Sequence, residues 1–95
     1  RERAHSVSIT GNRHYNPGWH LAIDLRNMLL VSECTTRAAL DRKESRGGHT
    51  RDDYPMTDPE WGRINITLST GSNDQVTVTH QPVPEMPDEL KKLFE

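Results

Sequence analysis

The chain has 95 residues, of which 32% are hydrophobic, and this low share predicts one domain with a thin core. Twelve lysine and arginine residues stand against fourteen aspartate and glutamate residues, so the basic surface of a nucleic-acid-binding protein is excluded. The single cysteine excludes an internal disulfide, and no apolar run reaches the ~20 residues needed to span a bilayer, so we expect no direct membrane insertion.

The first six residues lack a methionine and lack the apolar core of a signal sequence. Two arginines and a histidine among them are typical of the last turn of a helix, because cations are favoured at helix C-termini. Gly11 and Asn12 follow as a stop signal. We therefore expect the chain to begin inside a larger protein.

A long helix is predicted over residues 17–43, which contain no proline after the first position. Asn16 is expected to cap it, and Pro17 to occupy the first position, where no N–H is needed. Apolar residues on more than one side of this helix predict neighbours on several sides, as in the middle of a bundle. They are Leu21, Ala22, Ile23, Leu25, Met28, Leu29, Leu30, Cys34 and Leu40.

Three side chains of this helix are candidates for chemistry. Cys34 falls in the apolar pattern, so we expect a buried and inert thiol. Trp19 and His20 either line a ligand pocket or anchor packing, and packing is the more frequent role for such an aromatic residue.

Residues 44–63 are rich in charge, proline and glycine, and they predict a loop with one helical turn near Asp58 and Pro59. The densest polar segment, residues 44–55, either forms a hydrogen-bonded network or is simply solvated, and spacing alone favours solvation. A metal site is a further alternative, but the spacing of its candidate ligands matches no zinc or calcium pattern. Those candidates are His14, His20, His49, Asp52 and Asp53.

A β-hairpin is predicted over residues 64–80, where apolar and polar residues alternate on both sides of a turn at residues 71–74. A lone hairpin is marginal in water, so its apolar face needs a partner surface. Three prolines then predict an irregular tail, with a short helix over residues 88–94. The predicted fold class is therefore α+β, mainly α, with a long bundle helix, a C-terminal β-hairpin and a proline-rich tail.

Two stretches carry a resemblance to a known family: residues 16–34, NPGWHLAIDLRNMLLVSEC, and residues 42–55, RKESRGGHTRDDYP. They resemble the C-terminal domain of the flavoprotein subunits of succinate dehydrogenase and fumarate reductase. In that family a helix runs into the motif Glu-Ser-Arg-Gly-x-His-x-Arg-x-Asp, which here occupies residues 44–53. The resemblance extends over residues 1–84 and includes the hairpin and its proline-rich continuation.

The resemblance implies a parent subunit that interconverts succinate and fumarate with bound FAD. Electrons would pass to an iron–sulfur subunit and then to quinone, so the subunit would be cytoplasmic and peripheral at the inner face of the membrane. The FAD-binding and capping domains of such proteins carry flavin attachment and substrate binding, and both lie upstream of this chain. Residues 1–95 are therefore expected to be a single C-terminal helical domain fragment with no catalytic, cofactor-binding or metal-binding residue, inactive alone.

The resemblance also favours a structural network over loose solvation in the polar loop. We expect five of its residues to dock this domain onto the FAD-binding domain of the same chain or onto the iron–sulfur subunit: Glu44, Arg46, His49, Arg51 and Asp52. Two alternatives stay open: a free-standing interaction module without an enzymatic parent, and the equivalent domain of L-aspartate oxidase, which shares the Glu-Ser-Arg-Gly-x-His core. The isolated fragment is also expected to expose an apolar strip and to pair as a homodimer through its long helix.

Overall fold

Two structural units follow one another along the chain, Arg1–Leu40 and Asp41–Glu95, in a computed structural model that describes residues 1–94. The helices α1 and α2 span Pro17–Asp41 and Asp88–Lys91, and the strands β1 and β2 span Ile64–Thr70 and Val76–Pro82. Short 3-10 helices cover Glu2–Ser6 and Trp61–Arg63. One long helix with a two-stranded antiparallel hairpin confirms the predicted fold class.

The start of α1 is fixed by the side chain of Asn16. Its Oδ1 accepts a hydrogen bond from the amide of Gly18 (3.1 Å), and its Nδ2 donates to the carbonyls of Thr10 (3.0 Å) and Asn12 (3.1 Å). Pro17 is the first helical residue, as its missing N–H allows. The predicted cap is confirmed.

The long helix α1 buries little of its surface. No residue of α1 is buried, and four of its large apolar side chains are more than 60% exposed: Leu21, Met28, Val31 and Leu40. Cys34 is half-buried, so the prediction of a buried thiol was wrong: within residues 1–94 no second long helix packs over it. The expected apolar strip is present. No helix of residues 1–94 is both long and apolar enough to cross a membrane.

The hairpin pairs β1 with β2 so that Leu68 lies opposite Val78. It continues to Pro82, two residues beyond the predicted end, because the amide of Val83 donates to the carbonyl of Arg63 (2.8 Å) and holds the strand ends together. Val76 is the buried apolar residue of this unit. The terminal helix α2 is shorter than predicted, although two further turn-like bonds carry the chain to residue 94.

Candidate functional site

The centre of the polar loop is the carboxylate of Glu44, whose side chain is completely buried. Its Oε1 accepts hydrogen bonds from Arg42 Nη1 (2.6 Å) and Arg46 Nε (2.9 Å), and its Oε2 accepts one from the amide of Asp58 (2.9 Å). Burying a carboxylate is unfavourable unless it is paired and hydrogen-bonded. Here two guanidinium groups and one amide meet that requirement.

These bonds keep Glu44 ionised. The hydrogen bond from Arg46 is the largest influence and lowers the pKa of Glu44 from 4.5 to about 2, while burial opposes it. The Asp58 amide and Arg42 lower the same pKa further. In return, the carboxylate of Glu44 raises the pKa of the Arg46 guanidinium above its ordinary value. The charges therefore persist throughout the physiological pH range.

The local backbone explains why these three residues meet. Residues 42–46 lie beyond the end of α1 and are not helical. The chain bends at Glu44, and the guanidinium groups of Arg42 and Arg46 both reach Glu44 Oε1 there. The guanidinium of Arg46 also donates to the carbonyl of Asp58 (3.0 Å), which binds the far side of the loop to the same cluster.

A second group of contacts surrounds the carbonyl of Arg42, just after α1. Arg51 Nη1 donates to it (3.1 Å), and His49 Nε2 lies 3.4 Å away. Arg51 also forms a two-point contact with Asp53, at 2.8 and 2.5 Å, and its guanidinium lies 4.9 Å from the ring centre of Tyr54. A cation at a helix C-terminus is favourable, and Arg51 binds the carbonyl of Arg42 just beyond the last residue of α1.

The guanidinium of Arg42 joins this loop to the start of the hairpin. It donates to the carbonyls of Trp61 (3.0 Å) and Ile64 (3.2 Å) and lies 5.5 Å from the Trp61 ring centre. The Trp61 ring in turn meets the His80 ring edge-on at 5.4 Å, and His80 Nε2 lies 2.5 Å from an oxygen of Asp41. Arg42, which neutralises Glu44, is thus also hydrogen-bonded to the start of the hairpin.

Backbone and hydroxyl bonds centred on Ser45 close the loop. The amide of Arg51 donates to Ser45 Oγ (2.9 Å), which donates to the carbonyl of Tyr54 (2.8 Å), and Thr57 Oγ1 donates to the carbonyl of Ser45 (2.7 Å). Arg46 and His49 exchange two backbone bonds (2.8 and 2.9 Å) around a tight turn. Gly47 has φ +57° in that turn, a conformation that favours glycine. The loop is therefore held together by its own hydrogen bonds.

The predicted docking residues divide into three groups. Glu44 and Arg46 meet in the buried cluster, and His49 and Arg51 meet at the carbonyl of Arg42. Asp52 is exposed and has no hydrogen bond or ion pair within residues 1–94; its neighbour Asp53 takes the arginine instead. The prediction of a bonded network is confirmed for four of the five residues, and docking itself stays a prediction.

Sequence reasoning missed three contributors to this site: Arg42, Asp53 and Asp58. The closeness of Arg42 to Glu44 and Arg46 in the sequence was a usable signal for Arg42. No pattern in the sequence marks the backbone amide of Asp58 as the third ligand of the carboxylate. Within residues 1–94 no three His, Cys, Asp or Glu side chains are placed to hold a metal ion, so the metal alternative gains no support.

Trp19 belongs to a separate feature of the first unit. Its side chain is 47% exposed and lines a groove of about 390 Å³ together with Val7, Ile9 and Ile23. Arg26 is the charged residue along this groove. Trp19 therefore lines a groove and keeps about half of its surface exposed.

Comparison with known proteins gives relatives under several names. A fumarate reductase flavoprotein subunit from Helicobacter pylori is 38% identical over 85 residues, which cover 85% of this chain and 12% of the relative. The mitochondrial succinate dehydrogenase [ubiquinone] flavoprotein subunit of Oryza sativa is 37% identical over 84 residues, covering 86% of this chain and 13% of the relative. An L-aspartate oxidase from Acinetobacter baylyi is 47% identical over 56 residues, covering 59% of this chain and 10% of the relative.

The chain thus spans about a tenth of the length of the curated relatives it matches. No solved structure matches it significantly. The family model described as "Fumarate reductase flavoprotein C-term" matches residues 1–92, nearly the whole chain. The loop around Glu44 lies inside that match, and the chain belongs to the fumarate reductase flavoprotein C-terminal family.

Proposed function

We propose that this chain is the C-terminal domain of a flavoprotein subunit of the succinate dehydrogenase and fumarate reductase type. The family match over residues 1–92 carries this proposal, together with two flavoprotein relatives that each align with more than four fifths of the chain. The parent subunit would interconvert succinate and fumarate with FAD. Electrons would pass to an iron–sulfur subunit and then to quinone, with the assembly peripheral at the cytoplasmic face of the membrane.

The role proposed for this domain is docking. The loop of residues 42–58 holds its shape with its own hydrogen bonds, so little conformational freedom is lost when a partner binds it. Its outer surface offers the turn at Gly47 and Gly48, the free carboxylate of Asp52 and the partly exposed ring of Tyr54. The partner surface is the FAD-binding domain of the same polypeptide or the iron–sulfur subunit.

The residues of this chain do not fit FAD on their own. Within residues 1–94 every buried side-chain nitrogen or oxygen already has a hydrogen-bond partner, so none is left for a flavin. The arginines that could meet a pyrophosphate neutralise Glu44 and Asp53 instead. We therefore derive no flavin chemistry for this chain, and we propose that FAD is held elsewhere in the parent subunit and that the fragment is inactive alone.

The exposed apolar side chains of α1 also need cover. Met28 and Val31 are 62% and 64% exposed, which is unfavourable for large apolar groups on adjacent turns. In the parent subunit we propose that other helices of the same polypeptide cover this face. In the isolated fragment, two copies would pair through it.

The test begins with the reading frame that encodes this chain. The whole product is purified and assayed for flavin absorbance and for succinate-dependent reduction of an artificial dye, in both reaction directions. Bound flavin and succinate–fumarate activity are expected. A frame that starts near Arg1 and encodes no flavin-binding domain would instead establish the free-standing interaction module.

Docking is tested separately, with Arg46→Ala in the full subunit and Arg63→Ala as a matched control. Arg63 is also an arginine of the second unit, but its side chain is 76% exposed, and within residues 1–94 its only ion pair is with Glu60, at 3.4 Å. Arg46→Ala is expected to reduce capture of the iron–sulfur subunit or retention of flavin, and Arg63→Ala to leave both unchanged. Normal assembly and turnover of Arg46→Ala would refute the docking role and leave the family assignment intact.

L-aspartate oxidase is the second candidate, because a relative of that name is 47% identical over 56 residues. The same preparation decides between the two when L-aspartate replaces succinate as the electron donor. Dye reduction with L-aspartate and none with succinate would replace the first proposal by the second.

A further inference from the structure

The outer edge of β1 is unpaired. The sheet has two strands in the described part of the chain, so each strand has a neighbour on one side only. In an antiparallel pair, hydrogen-bonded and non-hydrogen-bonded positions alternate. The bond from the amide of Val83 to the carbonyl of Arg63 makes residue 63 a bonded position, and the alternation then makes 65, 67 and 69 bonded positions too. The backbone groups of Ile66, Leu68 and Thr70 therefore point away from β2.

The two edges of the sheet differ at one end only. The outer edge of β2 ends at Pro82, which has no N–H to offer, although its stretch from Val76 to His80 has no charged residue, proline or glycine. On β1, the carbonyl of Ile64 is taken by Arg42, but the stretch from Ile66 to Thr70 has no charged residue, no proline and no glycine. Unprotected edges of this kind add further strands.

The sequence of β1 is complementary to itself. In an antiparallel pairing of two copies centred on Thr67, Ile66 of one copy lies opposite Leu68 of the other, and the reverse pair forms as well. Both side chains lie on the same face as Ile64, so the apolar faces of two hairpins would join in one sheet. The opposite face carries Asn65, Thr67 and Ser69, which are uncharged, so no like charges oppose each other.

We propose that the free edge of β1 pairs with β1 of a second copy of this chain, forming a four-stranded antiparallel sheet about a twofold axis through Thr67. The interface is isologous, so each contact occurs twice. Thr67 already shares a short hydroxyl contact with Thr79 (2.6 Å), and the pairing extends this row of threonines across the axis. The inference stands on the strand edge and does not depend on the proposed function.

Cysteine cross-linking tests the pairing. Thr67→Cys and Thr79→Cys are each made in a Cys34→Ser background of the full chain and oxidised mildly. Thr67 would face Thr67 of the second copy in a non-hydrogen-bonded position, where Cβ atoms are about 5 Å apart and a disulfide forms after a small adjustment. The two copies of Thr79 would be three strand spacings apart, about 14 Å, which no disulfide spans. We expect roughly tenfold more cross-linked dimer for Thr67→Cys.

Amide hydrogen exchange of the unmodified chain gives a second measurement that needs no substitution. The amides of Ile66 and Leu68 point to the proposed interface, whereas the amide of Val78 points to the outer edge of β2. Protection of the first two is expected to rise with protein concentration while that of Val78 stays constant. Equal cross-linking of both cysteine variants, or a dimer in sedimentation whose Ile66 and Leu68 amides gain no protection, would overturn the proposal and leave α1 pairing as the explanation of any dimer.

Discussion

The two units of this chain are stabilised by different interactions. Within the described residues of Arg1–Leu40 the buried residue is Ala4, and the 25-residue helix α1 that begins in this unit has no buried residue. In Asp41–Glu95 the buried residues are Glu44, a charged carboxylate, and Val76. The first unit thus depends mainly on local helix geometry, whereas the second is organised around a polar centre.

This difference shows how a chain with few apolar residues can still fix a loop. Helices are usually stabilised by packing an apolar face, and α1 exposes much of its apolar surface instead. The loop of the second unit needs no large apolar side chain, because its carboxylate, guanidinium and amide groups satisfy one another. Such a network specifies one geometry, and it fails when a single member is lost.

The sharpest way to break the contrast is Glu44→Gln. Glutamine leaves the guanidinium groups of Arg42 and Arg46 without their counter-charge and turns an N–H toward donors. We expect the unfolding midpoint of the second unit to fall by more than about 5 °C, with no change in the helical signal of α1. Fluorescence of Trp61 in a Trp19→Phe background reports the second unit, and circular dichroism at 222 nm reports the helix.

The matched control is Glu60→Gln, because the side chain of Glu60 is 74% exposed and, in the part of the chain that the structure describes, forms an ion pair only with Arg63. It is expected to leave the midpoint within about 1 °C of the unmodified chain. Equal midpoints for both variants would show that the buried carboxylate does not organise the second unit.

Acid titration tests the same centre without a mutation. The pKa of Glu44 is about 2 in the folded chain against an ordinary value of 4.5, so the unfolded chain takes up the proton first. The stability that ionised Glu44 contributes is therefore present above pH 4.5 and is lost as pH falls from 4.5 toward 2. Urea unfolding followed by Trp61 fluorescence should show this loss.

In Glu44→Gln the slope between pH 4.5 and 2 should be smaller. Some slope remains, because Arg51 also lowers the pKa of Asp53 in the same unit, chiefly through its hydrogen bond. Identical slopes for the two proteins would contradict the role given to Glu44.

Sequence patterns correctly predicted the helix start and the strands, which depend on residues close together in the sequence. Asn16 and Pro17 mark the start of α1 because the cap contact joins residues only two positions apart. The alternation of apolar and polar residues marks the hairpin strands. The end of α1 was placed two residues too late, and Arg51, nine positions further on, binds the carbonyl of Arg42 just beyond the last residue of the helix. No local pattern carries such a contact.

The same boundary error hid part of the candidate site. A helix rotates 100° per residue, so helical geometry at residues 42–44 turns Arg42 and Glu44 to opposite sides. Once α1 ends at Asp41, the chain bends at Glu44 and Arg42 Nη1 lies 2.6 Å from Glu44 Oε1. The choice of Asp53 over Asp52 was equally hidden, since both are exposed acids in one bend and only the position of Arg51 separates them.

Two valine substitutions compare the stability of the two units, with an expected effect of intermediate size. Val76→Ala removes two methyl groups from the buried apolar site of the second unit and should destabilise it by about 2 kcal/mol. Val31→Ala makes the same change on α1, where the side chain is 64% exposed, and should alter stability by less than about 0.5 kcal/mol. Urea unfolding at pH 7 measures both. A large loss for Val31→Ala in a monomeric sample would mean that α1 is covered after all.

The smallest expected effect lies at the start of α1, where the first unit depends on one side chain. Asn16→Ala removes the acceptor of the Gly18 amide and the donor to the carbonyls of Thr10 and Asn12. It should reduce stability by about 1 kcal/mol, seen as lost helical signal and faster amide exchange in the first turn. Asn27→Ala, an exposed change inside α1, should slightly increase helicity because alanine is the better helix former. If both variants behaved alike, the cap would contribute nothing, and α1 would have to be held by its other contacts rather than by its own N-terminus.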